Sequence, residues 1–321
     1  MDLPNKSEIE AAAETIYTAM PATPQYAWPL LAERCGATVW VKHENHTPIG
    51  AFKVRGGLIY ISRLLADRPN TTGVIAATRG NHGQSIAFAA RANGIAAVIV
   101  VPEGNSVEKN AAMQALGAEL VVHGHDFQAA FEFAVDLADE RRLTLVPSFA
   151  ADLVVGVSTY AMELMTAAPD LDTLYVPIGL GSGISGCIAA REALGLTTKI
   201  VGVVSENAPC YALSFAQGQP VSTNSADTFA DGLACRVPVD ESVALINRYA
   251  ERVVTVSETE IAAAMRHYFT DTHNVAEGAG AAALAALLRE REAAAGQTIG
   301  LVLSGGNVDR SVFQDVLAEG D

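Results

Sequence analysis

Short apolar runs alternate with longer helical patterns along almost the whole chain, and this alternation constrains the fold more than any other feature. The runs predicted as strands are Thr38–Lys42, Val74–Ala77, Ala97–Val101, Leu120–Val122, Leu143–Val146, Leu174–Val176, Ile200–Val204, Val253–Val256 and Ile299–Leu303. Segments rich in Ala, Leu and Glu separate most of them, as is typical of an α/β fold with parallel sheets. Because these strands are too many for one compact sheet, we expect two mostly parallel sheets with a cleft between them.

Helix starts are also predicted from the sequence. Capping boxes, in which a Ser side chain and a Glu three residues later satisfy the first free N–H groups, predict helices that begin at Ser7 and at Ser257. Further helices are predicted over Gln84–Ala92 and Cys187–Leu194, each directly after a glycine-rich turn. Both glycine-rich turns therefore lead from a strand into a helix.

The composition describes an acidic chain with enough apolar residues for a large core. Of its 321 residues, 50% are hydrophobic and 18% are charged, and the net charge is −15 at pH 7. Such a surface repels nucleic acid and anionic membranes, so neither is expected as a partner. We find no apolar run long enough for a membrane span and no basic start followed by an apolar block, so no signal peptide is expected.

The cysteines argue for a reducing compartment. Cys35, Cys187, Cys210 and Cys235 are widely spaced and do not match a metal-binding pattern. They are expected to be reduced, mostly buried thiols, as in a cytoplasmic enzyme.

A glycine-rich segment, residues 177–186, joins a predicted strand to a predicted helix. The bare N–H groups at such a helix start, at the positive end of the helix dipole, form a phosphate site. Gly181, Gly183 and Gly186 match the dinucleotide pattern G-x-G-x-x-G, and Glu206 follows the next strand. The alternatives are a compact cradle for one phosphomonoester and a tight turn that binds nothing.

Several other segments follow predicted strands. Ligands of α/β proteins bind at the carboxyl ends of strands. Residues 43–45, 78–84, 205–206 and 304–307 are therefore candidate site segments beside the glycine-rich one. Most of them carry glycine or small polar residues, which allow a ligand to approach closely.

Lys53 is the candidate for covalent chemistry. It stands among apolar neighbours and glycines, between Ala51 and Gly57. A lysine held against an apolar wall has a lowered pKa and forms a Schiff base, whereas an ordinary surface or salt-bridged lysine is the alternative. Beside a phosphate site, a Schiff-base lysine indicates pyridoxal 5′-phosphate, PLP.

A series of motifs resembles one family, the fold-type II PLP enzymes related to serine/threonine dehydratases and serine racemases. The matching segments are Thr23-Pro24, Lys42–Glu44, Gly50–Gly56, Gly80–Gln84, Val101–Glu103, Gly117–Glu119, Gly179–Gly186, Ala230–Gly232 and Leu303–Asn307. They follow the family order along nearly the whole chain. The resemblance favours PLP over NAD and implies a two-lobed fold with the cofactor in the cleft.

The resemblance also implies residue roles. The implied cofactor-binding residues are Phe52, Lys53, Asn81, Gly179, Leu180, Gly181, Ser182, Gly183, Gly232 and Ser304. The implied substrate-binding residues are Thr78, Arg79, Gly80, His82 and Ser85. Lys53 would bind PLP covalently and move the Cα proton, Asn81 would hold the 3-oxygen of PLP, and Ser304 would meet its pyridine nitrogen.

Arg79 is a departure from the family pattern, since serine racemase-like members have a proton-exchanging serine there. Because arginine does not exchange protons near neutral pH, racemisation should be lost. Arg79 is expected to face the substrate side chain, as an ion pair with 3-hydroxyaspartate or by cation–π stacking on phenylserine. The aryl substrate is slightly favoured because we expect no other Lys or Arg to adjoin this loop; pairing with Glu277 or Asp231 is the alternative.

The chain also departs from the family at the divalent-cation site. Glu206 is available there, but no further acid follows it before Asp227, so no metal is predicted. The sequence ends at Asp321 without the family's regulatory domain, which favours a catabolic enzyme.

These observations lead to one prediction and two rivals. We predict a dimeric PLP-dependent ammonia-lyase of a β-hydroxy-α-amino acid, of the threonine and serine type or acting on phenylserine or 3-hydroxyaspartate. Its small domain is predicted to span residues 51–151, and its large domain residues 1–50 and 152–321. The rivals are an NAD-dependent oxidoreductase and a non-catalytic binding protein with the PLP fold.

Overall fold

The computed structural model describes residues 1–320, and the strands in this range form two sheets. In chain order the strands are β1 (Gln25–Ala27), β2 (Thr38–His43), β3 (Gly73–Ala77), β4 (Ala96–Val101), β5 (Glu119–Val122), β6 (Thr144–Leu145), β7 (Thr173–Pro177), β8 (Lys199–Ser205), β9 (Arg252–Val256) and β10 (Thr298–Leu303). The large sheet has the order β1-β2-β10-β7-β8-β9, and the small sheet has the order β5-β4-β3-β6. All pairs are parallel except the edge pair of β1 with β2.

Helices connect and cover the strands, as parallel sheets require. In chain order the α-helices are α1 (Lys6–Tyr17), α2 (Pro29–Cys35), α3 (Lys53–Asp67), α4 (Asn81–Ala92), α5 (Val107–Ala115), α6 (Phe127–Arg141), α7 (Ala151–Ala167), α8 (Ser182–Leu194), α9 (Cys210–Gln217), α10 (Asp240–Tyr249), α11 (Glu258–Thr272), α12 (Gly278–Arg289), α13 (Arg291–Ala294) and α14 (Arg310–Ala318). Helix α7 packs on both α3 and α8 and so links the helices of the two sheets. Among the described helices, none combines the length and apolarity that a membrane crossing requires.

The α/β prediction with two parallel sheets is confirmed, and each predicted strand is present with its ends shifted by at most one residue. Strand β1 was not predicted because its three residues are not buried and so do not form an apolar run. The strands of the small sheet all lie between residues 73 and 145. The domain boundaries at residues 51 and 152 stay a prediction.

The helix starts were predicted less well. Ser257 caps α11 and Glu260 completes the box, as predicted. The predicted helix start at Ser7 is wrong. Asn5 is the N-cap of α1, and the Glu8 carboxylate accepts a hydrogen bond from the Asn5 backbone N–H. The stretch from residue 5 to residue 8 also fits a capping box, and Asn caps helices as well as Ser does. The helices predicted from Gln84 and Cys187 begin earlier, at Asn81 and Ser182.

A buried ion cluster anchors the first turn of α3. The Arg55 guanidinium donates from Nε to Glu44 (2.8 Å) and from Nη1 to Glu163 (2.6 Å). Lys42 donates to the other oxygen of Glu163 at 2.5 Å. Two cations and two carboxylates thus compensate one another out of water. The cluster fixes the helix two residues after Lys53.

Candidate active site

A cavity of about 580 Å³ lies at the carboxyl ends of β3, β7 and β10 and is lined by residues that follow strands of both sheets. The predicted site residues on its wall are Phe52, Lys53, Thr78, Arg79, Gly80, Asn81, His82, Gly179, Leu180, Gly181, Ser182, Gly183, Gly232 and Ser304. The structure therefore brings together segments that are more than 200 residues apart in the sequence. This is the place where α/β folds bind ligands.

Lys53 is the first residue of α3, and two backbone contacts fix its position. Ala51 forms a bridge with Gly305, and the Phe52 N–H donates to the Ser304 carbonyl (3.0 Å). The Lys53 Nζ lies 2.9 Å from the Ser182 Oγ and 5.2 Å from the centroid of the Phe52 ring. Burial lowers the pKa of Lys53 to about 8 from its ordinary value of 10.5. A neutral, nucleophilic amine is therefore accessible near neutral pH.

The glycine-rich segment forms a tight turn between β7 and α8. Gly181 has a φ of +97°, and a Cβ there would lie 1.7 Å from the Ser242 Oγ. A Cβ on Gly179 would lie 2.3 Å from the Gly232 carbonyl oxygen. Only glycine fits these positions, and the turn delivers its backbone to the start of a 13-residue helix. The start of α8 thus has the geometry of an anion cradle next to the Lys53 amine, an arrangement that fits PLP.

The Asn81 loop forms another part of the cavity wall. The Thr78 hydroxyl accepts bonds from the N–H groups of Gly80 (2.9 Å) and Gly83 (3.2 Å) and so shapes the loop. Asn81 donates to the Glu277 Oε1 (2.6 Å) and accepts from Asn307 (2.8 Å). These contacts hold the Asn81 amide on the cavity wall, where the predicted contact with the cofactor needs it.

His82 is buried behind this loop. Burial, together with the nearby charge of Lys53, lowers the pKa of His82 to about 3 from 6.5. The imidazole is therefore neutral and too weak a base to take a proton near neutral pH. Of the two roles predicted for His82, bracing the loop fits this setting better than general base catalysis.

Ser85 does not line the cavity, in contrast to the predicted contact of Ser85 with the substrate. It is fully buried in α4, and its hydroxyl donates to the Lys53 carbonyl oxygen at 2.6 Å. A Cβ on Gly57 would lie 2.1 Å from the Ser85 Oγ, so α3 and α4 meet closely at this point. Ser85 thus ties two helices together, because it faces α3 and not the cavity.

Arg79 lines the cavity and also pairs with an internal acid, one of the two outcomes considered from the sequence. Its Nε and Nη2 lie 3.1 and 2.8 Å from the Asp231 Oδ1. The other Asp231 oxygen is 3.0 Å from the Nζ of Lys109, which also lies 3.4 Å from the Glu277 Oε2. The expectation that no other basic residue adjoins this loop is therefore wrong, since Lys109 packs directly against Gly80.

Glu206, the acidic residue that the dinucleotide interpretation requires, is not among the residues that line the cavity. Glu206 is exposed after β8, and its backbone N–H pairs with Val256 of β9. A Cβ on Gly186 would lie 2.9 Å from the Val157 Cγ1, so this glycine serves the contact of α8 with α7. The cavity wall instead carries the Lys53 amine.

Comparison with known proteins decides the family. The sequence model of the family described as pyridoxal-phosphate dependent enzymes matches residues 16–305. The chain belongs to this family. The predicted PLP dependence and fold-type II architecture of this enzyme are thereby confirmed, and the NAD interpretation is set aside.

Individual relatives cover most of this PLP-dependent enzyme. It is 34% identical over 297 residues to the L-threonine dehydratase biosynthetic IlvA of Haemophilus influenzae, covering 92% of this chain but 58% of the relative. It is 31% identical over 319 residues to the L-threo-3-hydroxyaspartate ammonia-lyase of Saccharomyces cerevisiae, covering 99% and 98%. The structure of threonine deaminase isoform 2 from Solanum lycopersicum superposes with a TM-score of 0.87 at 28% identity, covering 98% of this chain and 94% of that one.

Proposed function

We propose that this protein is an ammonia-lyase that converts a β-hydroxy-α-amino acid to a 2-oxo acid and ammonia by β-elimination. The observation that carries the proposal is the buried Lys53 amine, 2.9 Å from Ser182 at the head of the glycine turn. The names of the relatives support the same reaction class, because one is a threonine dehydratase and another an ammonia-lyase.

The residues present fit PLP in kind and in place. Those that would hold it are Phe52, Lys53, Asn81, Gly179, Leu180, Gly181, Ser182, Gly183, Gly232 and Ser304. The turn before α8 suits the phosphate, since its N–H groups stand at a helix start. When bound, PLP withdraws electrons from the substrate Cα and makes the Cα proton acidic.

Lys53 is the group that moves the proton. Because the pKa of Lys53 is lowered to about 8, a neutral Nζ is available to accept the Cα proton. That proton leaves with the β-hydroxyl as water when the Cβ–O bond breaks. Hydrolysis of the released enamine then gives the 2-oxo acid and ammonia.

Arg79 limits the reaction to elimination. It occupies the place at which a second acid/base would have to stand for racemisation, and a guanidinium keeps its protons at neutral pH. We therefore expect no interconversion of substrate enantiomers.

Three kinds of substrate side chain are candidates. Threonine and serine are suggested by the dehydratase relative, and 3-hydroxyaspartate by the name of the yeast relative. The Arg79 guanidinium on the cavity wall adds phenylserine, through cation–π stacking.

The test is a screen for 2-oxo acid release from serine, threonine, 3-hydroxyaspartate and phenylserine, with wild type and Lys53→Ala. The wild type should be yellow, fix its cofactor on borohydride reduction and release a 2-oxo acid. Lys53→Ala should lose at least about a hundredfold in rate, the range of acid–base catalysis, with an unchanged circular dichroism spectrum. Lys199→Ala, at an exposed lysine, is the matched control. A colourless wild type that binds NADH, or one that binds neither cofactor, would overturn the proposal.

We also propose a cytoplasmic homodimer. The four cysteines are free and buried, which suits a reducing compartment. The dimer rests on the family resemblance, and sedimentation equilibrium of the PLP-loaded protein tests it.

A further inference from the structure

Arg79 and Lys109 form a pair of cations on the wall of the cavity that contains Lys53. Arg79 follows β3, and Lys109 lies in the first turn of α5. The two meet at Gly80, where a Cβ would lie 2.4 Å from the Lys109 Cδ. The glycine therefore lets the lysine stem cross the loop, and both charged groups reach the same cavity.

One carboxylate is shared by both cations. Asp231 gives Oδ1 to Arg79 and Oδ2 to Lys109, at 2.8 and 3.0 Å. The Glu277 Oε2 lies 3.4 Å from the Lys109 Nζ, whereas the Glu277 Oε1 accepts a shorter hydrogen bond, 2.6 Å, from the Asn81 amide. Lys109 is nearly buried, with 7% of its side chain exposed, so its charge is satisfied inside the protein.

Arg79 is different, because Asp231 engages only one of its two edges. A single oxygen, Oδ1, accepts a hydrogen bond from Nε and lies 2.8 Å from Nη2. A guanidinium binds a carboxylate best through two parallel bonds to two oxygens. The edge formed by Nη1 and Nη2 is not used by Asp231, and 33% of the Arg79 side chain is exposed in the cavity wall.

We propose that this edge of Arg79, supported by Lys109, binds a carboxylate on the β-carbon of the substrate. The substrate class is then a β-hydroxy-α-amino dicarboxylic acid, of which 3-hydroxyaspartate is the smallest member. This inference rests on the proposed function and deepens it. Lys109 engages the second oxygen of Asp231, so the Nη1–Nη2 edge of Arg79 is the group that attracts an incoming carboxylate. A methyl or hydrogen at Cβ forms no bond to this edge.

The first experiment compares kcat/KM for 3-hydroxyaspartate, threonine and phenylserine in wild type, Arg79→Gln and Arg79→Lys. Wild type should prefer 3-hydroxyaspartate. Arg79→Gln should lower the 3-hydroxyaspartate to threonine ratio about tenfold to hundredfold, the value of a hydrogen bond between charged groups. Arg79→Lys should lower this ratio less, because lysine keeps the positive charge but lacks the paired N–H donors of the guanidinium. Arg236→Gln is the matched control: this arginine also lines the cavity but pairs with Asp126, and the ratio should stay within about twofold.

A binding experiment separates this inference from the proposed function. Calorimetry on the PLP-loaded protein compares L-aspartate with L-alanine, neither of which carries a β-hydroxyl. Wild type should bind aspartate more tightly, and Arg79→Gln should remove the difference. If this holds but no substrate yields a 2-oxo acid, the proposed function fails and the carboxylate site stands.

Three results would overturn the inference. The first is a wild type that prefers threonine. The second is an equal loss on all substrates in Arg79→Gln, which would make Arg79 only a brace for Asp231. The third is a preference for phenylserine that Arg79→Gln abolishes, which would assign the guanidinium to an aryl group.

Discussion

The Nζ of Lys53 lies 2.9 Å from the Oγ of Ser182, so the amine that starts α3 contacts the residue that starts α8. Two helices that are 129 residues apart in sequence thus begin at one point. We propose that the amine at one helix start and the N–H groups at the other bind the same ligand. This contact explains why neither the lysine motif nor the glycine motif identifies the site alone.

Capture of PLP by the cofactor-free protein should depend on pH with a midpoint near 8. Burial lowers the pKa of Lys53 to about 8, and the neutral amine is the nucleophile, so the rate should rise as pH increases through this value. Stopped-flow absorbance measures the rate. N-acetyl-lysine, whose amine titrates near 10.5, is the reference. A protein midpoint equal to that of the reference would show that Lys53 is solvated.

Gly181→Ala should weaken PLP binding at least about tenfold, whereas Gly195→Ala should not. Both glycines have positive φ, at the start and the end of α8, but only the Cβ at Gly181 would strike another residue, Ser242. Strain alone should cost each variant about 1 kcal/mol of unfolding free energy, and the clash should move the cradle as well. Fluorescence titration gives the PLP affinity and urea denaturation the stability. Equal PLP affinities in both variants would contradict the assignment of the cradle.

Glu44→Gln should lower the free energy of unfolding by about 3 kcal/mol, because it leaves the buried Arg55 with half of its compensation. Urea midpoints measure the loss. Glu119→Gln provides the contrast: its pair with Arg141 is exposed, and it should cost less than about 1 kcal/mol. If both variants lost the same stability, the buried cluster would not anchor α3.

Chelators should leave 2-oxo acid release unchanged. Throughout residues 1–320, no group of three or more His, Cys, Asp or Glu side chains is placed to hold a metal ion. Glu206, the available family ligand, is exposed. Activity that disappears in EDTA and returns with Mg²⁺ or Ca²⁺ would refute this expectation.

The fold and the glycine turn before α8 could be predicted from local patterns. Buried parallel strands are continuous apolar runs, as in β3, which is buried at every residue from Gly73 to Ala77. The glycine turn could be recognised in the sequence because a positive φ and close contacts require glycine, as at Gly181. Both signals need only a few neighbouring residues.

The side-chain network of the site could not be predicted in the same way. Lys109 lies in a helix that looks like an ordinary charged surface, and its partner Asp231 is 122 residues away. The position of Ser85 could not be predicted because the spacing of residues in the loop does not say which face of α4 meets α3. Long-range charge pairs and helix orientation are set by packing, which a single sequence does not display.

The sharing of Asp231 between two cations gives this pocket a mutational route to new substrates. If Arg79 were replaced by a small residue, Asp231 and Lys109 would still neutralise each other at 3.0 Å. Asp231 would keep a cation partner, so we expect the fold to survive the exchange. Loss of Lys109 is a harsher step, since it removes a nearly buried charge from between two acids. Selection can therefore vary Arg79, the residue that we propose contacts the substrate side chain, while the pair behind it remains in place.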